Sequence, residues 1–217
     1  MLEIGAIELL PAWPVFLSFA LAGLALNIVP GADMTFVMAA SARGGRRDGL
    51  IAALGIGAGA LVHILAAVLG LSALLASSQA AFAALKSVGA AYLFYLAVSM
   101  IRSGDKAEGT TSAAPKSGWR LFRAAVLVNL LNPKVALFFL AFLPQFVDPQ
   151  ASVPALQILC LGLWFDFAGT LVNCAVAIAA AASAARLSHV TWVGRAARWL
   201  GATAMAAMAA KLALSRR

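Results

Sequence analysis

Long apolar stretches separated by short polar ones dominate the hydrophobic pattern of the chain. A helix needs about 20 apolar residues to cross the hydrocarbon core of a bilayer. Six segments reach or approach that length, and they cover residues 12–42, 50–76, 84–101, 121–147, 154–185 and 191–214. The pattern therefore predicts an all-α membrane protein with six transmembrane helices.

Two of the six segments contain a helix breaker near the middle. Pro30 and Gly31 interrupt the first segment, and Asn132 and Pro133 interrupt the fourth. Proline has no backbone N–H and clashes with the carbonyl four residues earlier. Each of these segments is therefore predicted to form two half-helices.

The spacing of polar positions predicts an internal repeat. Pro30 and Pro133 are 103 residues apart (133 minus 30), and so are His63 and Asp166, in the middle of the second and fifth segments. Two halves of three helices have opposite orientations in the membrane, as in many secondary transporters. We expect an inverted 3+3 bundle with halves at residues 1–101 and 121–217 and a polar cytoplasmic linker at residues 102–120.

Composition supports the membrane class. Hydrophobic residues make up 63% of the chain and charged residues 11%, against about 25% charged in an average soluble domain. The mean hydropathy is +0.94. The net charge of +8 would suggest nucleic acid for a soluble protein. In a membrane protein basic residues gather in cytoplasmic loops and on anionic lipid, so we expect lipid contact and no nucleic-acid partner.

Basic residues are concentrated in alternate loops. The loops between segments 1 and 2, 3 and 4, and 5 and 6 carry Arg43, Arg46 and Arg47; Arg102, Lys106, Lys116, Arg120 and Arg123; and Arg186, Arg195 and Arg198. The positive-inside rule predicts that these three loops are cytoplasmic. Lys211, Arg216 and Arg217 run against this orientation. The N-terminus lacks the positive region of a signal peptide, so the first segment is expected to be retained.

The first break offers charged and polar groups inside an apolar segment. Pro30 frees the carbonyl of Leu26, and the half-helix that follows presents free N–H groups, which attract anions. Asp33 lies in the first turn of that half-helix, and Asn27 precedes the proline. We interpret Asn27, Pro30, Gly31 and Asp33 as substrate-binding; the alternative is a proline kink with a helix-stabilising aspartate.

The second break has a similar set of groups. Asn132 suits the N-cap of a half-helix and Pro133 its first position, and Pro133 frees the carbonyl of Asn129. Lys134 adds a cation that suits a carboxylate. We interpret Asn129, Asn132, Pro133 and Lys134 as substrate-binding too; alternatively, the Lys134 side chain extends to the membrane surface.

His63 and Asp166 are single polar residues in apolar segments. A lone buried histidine is often a hydrogen-bonded packing residue, whereas an acid within a membrane span usually marks a functional group. We expect Asp166 to carry the coupling proton and His63 to serve as a relay, if the second and fifth helices meet.

Other motifs favour packing over chemistry. Cys160 and Cys174 lie in one segment, roughly 21 Å apart along a helix, and cannot pair there. The small-residue pattern Gly55, Gly57 and Gly59 suits helix packing, and Phe138, Phe139, Phe142 and Phe146 suit packing or lipid contact. We find no enzyme signature, so we expect no catalytic residue, no cofactor and no metal site.

Together these motifs resemble the LysE/RhtB family of bacterial amino-acid exporters. The resemblance rests on NIVPGADMTFVMAASARGGRRDGLIAALGIGAGALVH, GAAYLFYLAVSMIR and FRAAVLVNLLNPKVALFFLAFLPQFV, which fall within residues 24–147 in the family order. The family usually has a second proline where this chain has Ala32. The resemblance implies a secondary exporter of amino acids or close derivatives in the bacterial plasma (inner) membrane, driven by the proton motive force.

Three rival functions are compatible with a helical membrane protein. An exporter of metals or other inorganic ions would share the architecture, but acids, histidines and accessible thiols are scarce. A membrane thiol-redox enzyme conflicts with the cysteine spacing, and a scaffold conflicts with the buried charges. The expected partners are an amino-acid substrate, protons and lipid; a homodimer is left open.

Overall fold

The computed structural model describes residues 3–4, 7–77, 117–148 and 151–183, with the single positions 87, 91, 94, 95, 98, 203 and 206. Most of the third and sixth predicted segments and most of the polar linker lie outside the described residues.

A small β ladder lies near the N-terminus, which the hydrophobic pattern did not predict. Strands β1 (Glu3–Ile4) and β2 (Ile7–Glu8) pair antiparallel, with Glu3 opposite Glu8 and Ile4 opposite Ile7. The other regular elements of the described ranges are helical, in agreement with the predicted class.

Helices begin and end close to the predicted breaks. They are α1 (Trp13–Ile28), α2 (Ala32–Ser77), α3 (Gly118–Leu130), α4 (Pro133–Leu137) and α5 (Pro154–Ser183). A π-helical turn (Phe138–Phe142) and a 3₁₀ turn (Leu143–Phe146) continue α4. The sequence predicted a plain half-helix there, and it placed the start of this span three residues after the observed start of α3.

Helix α2 contains a sharp turn at Gly45. This residue has φ 69° and ψ −164°, a backbone conformation that glycine adopts without a steric penalty. A Cβ on Gly49 would meet the hydroxyl of Ser41, so the chain before Gly45 packs against the chain after it. The loop expected between the first two segments is therefore reduced to a turn within helical sequence.

Two described helices are long and apolar enough to cross a membrane. They are Ala32–Gly70 and Pro154–Ala182. The pair Gly118–Leu130 and Pro133–Phe146, bent by 50°, makes a third if the pair is one span. Helix α1 is apolar but has only 16 residues. Six spans and the inverted repeat stay predictions.

An aromatic core joins α1, the π-helical turn and α5. Phe138 and Phe165 stack with ring centroids 4.1 Å apart, and Phe19 packs on Phe138 and Phe146. The phenylalanines that the sequence assigned to packing or lipid contact are buried: Phe138, Phe139, Phe142 and Phe146. The packing alternative is confirmed.

Glycines bring α2 close to its neighbours. A Cβ on Gly55 would lie 2.6 Å from the carbonyl oxygen of Phe122, and one on Gly59 would lie 2.9 Å from that of Val126. Gly57 faces Thr170 of α5. Because a side chain at Gly55 or Gly59 would collide with the α3 backbone, the predicted packing role of these glycines is confirmed.

Candidate functional site

The first break separates α1 from α2. Helix α1 ends at Ile28, and Val29 is extended, with φ −67° and ψ 121°. Pro30 has no N–H to donate to the carbonyl of Leu26. The next helical bond runs from the Thr35 N–H to the Gly31 carbonyl at 2.9 Å. The end of α1 therefore leaves carbonyls without backbone donors.

The second break is capped by its own side chain. Asn132 has φ −79° and ψ 107°, and its Oδ1 accepts a hydrogen bond from the Lys134 backbone N–H at 3.0 Å. Pro133 occupies the first turn of α4, where a missing N–H costs nothing. Asn132 is 6% exposed. The predicted capping role of Asn132 and Pro133 is confirmed.

Side chains from the two breaks meet. The Lys134 ammonium donates to the carbonyl of Leu26 at 2.9 Å and to that of Val29 at 3.0 Å. Asn129 Nδ2 donates to Asp33 Oδ2 at 2.9 Å. Lys134 is half-buried and its ammonium points to α1, so the alternative that this side chain extends to the surface is wrong.

Pro133 cannot donate to the carbonyl of Asn129, which instead accepts a hydrogen bond from the Asn132 backbone N–H at 3.0 Å and also lies beside His63. His63 Nε2 lies 3.2 Å from the Asn129 oxygen, so the tautomer with a proton on Nε2 donates to it. The His63 ring also stacks on Phe139, with centroids 6.1 Å apart and planes 6° apart. His63 therefore holds the second break in place as a packed, hydrogen-bonded residue.

A cavity of about 30 Å³ lies between the two breaks. A buried water needs about 10–15 Å³ of such space, and a cavity that holds benzene has about 150 Å³, so no amino acid fits without movement. Two oxygens near the breaks, Asp33 Oδ1 and Asn129 Oδ1, are buried and have no hydrogen-bond partner among the described residues. The cavity is lined by Leu26, Asn27, Val29, Gly31, Asp33, Met34, Asn132, Lys134, Val135, Phe165 and Asn173.

Helix α5 supplies the far wall of the cavity. Asn27 Nδ2 donates to the Phe165 carbonyl at 3.2 Å, and a Cβ on Gly169 would lie 2.8 Å from Asn27 Oδ1. Asn173, 9% exposed, and Phe165 were not among the predicted site residues. An uncharged amide within an apolar segment was the available signal for Asn173, seven residues after Asp166.

Asp166 lies outside the lining of this cavity. Its Oδ1 accepts a hydrogen bond from Thr170 at 3.4 Å, and a Cβ on Gly57 would lie 3.4 Å from the same oxygen. Asp166 thus faces α2, as the sequence suggested. Its hydrogen bond stays within α5, whereas that of His63 goes to α3.

A comparison of the sequence with protein-family models identifies one family. Its model, that of the LysE type translocator, matches residues 24–216. The chain belongs to the LysE type translocator family. The family description indicates a transporter rather than an enzyme, and the resemblance read from the sequence is confirmed.

Relatives of this LysE-type translocator include membrane proteins and exporters. An uncharacterized membrane protein of Pseudomonas aeruginosa is 37% identical over 161 residues, which cover 72% of this chain and 74% of the relative. A homoserine/homoserine lactone efflux protein of Salmonella typhimurium is 36% identical over 146 residues, covering 67% and 70%.

A more distant relative is also named for efflux of an amino acid. The leucine efflux protein of Klebsiella pneumoniae is 26% identical over 152 residues, which cover 70% of this LysE-type chain and 72% of the relative. No solved structure matches the chain significantly.

Proposed function

We propose that the protein exports amino acids or close derivatives from the cytoplasm as a secondary active transporter. One observation carries the proposal: Asp33 from the first break and Lys134 from the second line the same cavity. A carboxylate and an ammonium group in the wall of one cavity match the ammonium and the carboxylate of a zwitterionic amino acid. The substrates for which the relatives are named, homoserine, its lactone and leucine, all carry an α-ammonium group.

The lining residues suggest how the substrate is held. Asp33 Oδ1 is buried, has no hydrogen-bond partner in the part of the chain that the structure describes, and suits a substrate ammonium. The carboxylate suits Lys134 and the N–H groups at the start of α2, where the helix dipole favours negative charge. Since the cavity is smaller than an amino acid, the transport cycle includes an opening of the broken helices, as in alternating access.

A resistance screen tests the proposal. Cells that overproduce the protein are challenged with toxic concentrations of single amino acids and analogues, and intracellular substrate is measured. We expect resistance to at least one amino acid together with a lower intracellular level. Equal sensitivity of producing and non-producing cells to every amino acid would contradict the proposal.

The alternative of inorganic-ion export has weaker support. Asp33 is the one carboxylate among the described residues that line the cavity, whereas tight binding of a transition metal needs several ligands. In the same screen, resistance to metal salts without resistance to amino acids would favour this alternative.

The proposal assigns proton coupling to Asp166, with His63 as a relay. An acid inside an apolar helix is a candidate proton carrier, and Asp166 faces α2, the helix that carries His63. Asp166→Asn should abolish uphill export in vesicles under an imposed pH difference while downhill exchange continues. If this variant still concentrates substrate against its gradient, the proton follows another route.

We also infer in which membrane the protein lies and which of its loops face the cytoplasm. The protein lies in the bacterial inner membrane with its arginine-rich loops in the cytoplasm, because Lys and Arg are retained on that side. Labelling of single cysteines introduced beside Arg46 with an impermeant thiol reagent tests this: intact cells should give no labelling and inverted vesicles should give strong labelling.

A further inference from the structure

The end of α1 forms a small cation site made of backbone. Leu26 O lacks a backbone donor because residue 30 is proline, and Val29 O follows the last helical residue. The C-terminal end of a helix carries partial negative charge. Freed carbonyls at the end of a broken helix therefore suit an ammonium group or a metal cation and repel an anion.

A cation of the protein itself already fills this site. The Lys134 ammonium bonds both carbonyls, at 2.9 and 3.0 Å, although Lys134 lies 108 residues from Leu26. Gly31 lies against the same side chain, since a Cβ there would be 3.6 Å from Nζ, an ordinary van der Waals contact. Two of the three N–H groups of the ammonium are thus used by carbonyls that were not satisfied within their own helix.

Lys134 also limits the space in the cavity. It lines the cavity of about 30 Å³ together with Asp33, and its side chain is the longest flexible polar one of the lining. Movement of this side chain would open the carbonyl pair and enlarge the cavity in one step.

We propose that the carbonyls of Leu26 and Val29 are the subsite for the ammonium group of the substrate, and that Lys134 occupies this subsite while the transporter is empty. The substrate ammonium replaces the lysine ammonium on the two carbonyls and keeps one N–H for Asp33. The displaced Lys134 then pairs with the substrate carboxylate. This inference rests on the proposed export of amino acids.

Chemical rescue of Lys134→Ala tests the subsite. The truncation leaves both carbonyls open to a small primary ammonium ion, so ethylammonium chloride should raise the Tm of the purified variant in lipid nanodiscs by several degrees. Sodium chloride at equal ionic strength and ethanol at equal concentration should not. Wild type and Arg123→Ala, which loses an exposed cation of α3, should show no specific shift.

The controls decide between the outcomes. The subsite is overturned by an equal Tm shift in all three proteins, by a similar Tm shift with sodium chloride, or by an unchanged Tm of folded Lys134→Ala in ethylammonium. If Lys134→Ala folds only when it is purified in ethylammonium, the subsite is supported. If Lys134→Ala folds under neither condition, the reactivity of Lys134 in the wild type is the measurement that tests the subsite.

That second measurement activates the carboxylate of added homoserine or leucine with a carbodiimide and locates the resulting amide on the protein by mass spectrometry. The amide should form on Lys134 several-fold more often than on the other lysines, because the displaced Lys134 pairs with the substrate carboxylate. Amide formation on Lys134 no more frequent than on the other lysines overturns the exchange. If ethylammonium raises the Tm of Lys134→Ala but cells gain no resistance to any amino acid, the subsite stands and the proposed function is refuted. If cells gain resistance but ethylammonium does not raise this Tm, the proposed function stands and the subsite is refuted.

Discussion

The two helix breaks have similar sequences but different supports. At the second break Asn132 caps α4 from within the segment, and His63, stacked on Phe139, bonds the freed carbonyl. At the first break the freed carbonyls are held by Lys134, from a distant segment. The second break is thus supported by packing and capping, and the first by one lysine side chain, which we propose that a substrate replaces. Two prolines with the same local effect therefore serve different purposes.

Loss of charge at the first break should have the largest effect. Asp33→Asn keeps the size of the side chain and an oxygen that can accept from Asn129 but removes the charge that pairs with a substrate ammonium. A hydrogen bond to a charged group contributes about 2 kcal/mol, so the apparent affinity should fall roughly thirtyfold. Export assays at equal membrane abundance measure the loss. Asp148 is an exposed carboxylate outside the cavity, so Asp148→Asn should export normally. Unchanged export by Asp33→Asn would reduce Asp33 to a structural partner of Asn129.

A methyl group added at each break should show that the second break is rigidly packed and that the first can adapt. A Cβ on Gly59 would lie 2.8 Å from Asn129 Cβ and 2.9 Å from a backbone oxygen, whereas one on Gly31 would meet the flexible Lys134 at 3.6 Å. Gly59→Ala should cost about 1–3 kcal/mol of stability through overpacking, and Gly31→Ala much less. Thermal unfolding in detergent measures both.

A third glycine serves as the control for this pair. Like Gly59, Gly70 is helical, and no described residue has an atom within 4 Å of its Cβ position, so Gly70→Ala should stabilise by up to about 1 kcal/mol. If Gly59→Ala proves as stable as Gly70→Ala, the second break is not rigidly packed.

The smallest effect is expected at the cap of the second break. Asn132→Ala removes the bond to the Lys134 N–H and should cost about 1 kcal/mol. Asn132→Ser restores a capping oxygen and should recover most of the loss, as followed by Tm. Equal destabilisation by both replacements would mean that the buried amide matters for contacts other than capping.

Local signals in the sequence predicted the breaks, because proline and asparagine act within a few residues. Pro30, Asn132 and Pro133 stand where helices end or begin, and the charged residues beside them do line one cavity. The partner of Lys134 was not predictable: the choice between α1 and the membrane surface depends on how helices 108 residues apart pack. Asn173 was missed because one amide scarcely alters an apolar pattern.

The turn that follows Lys134 bears on how the length of this chain can change. A single-residue deletion in a packed helix ordinarily rotates every later side chain by about 100°, since an α-helix has 3.6 residues per turn. A π-helical turn holds one residue more than α geometry needs, so within Phe138–Phe142 a deletion restores the ordinary helix and leaves Lys134 and Phe146 in phase with each other. Leu140, 39% exposed between buried phenylalanines, is the residue whose removal disturbs packing least. Among the described residues, this turn is where a shorter homologue can lose a residue and keep its core.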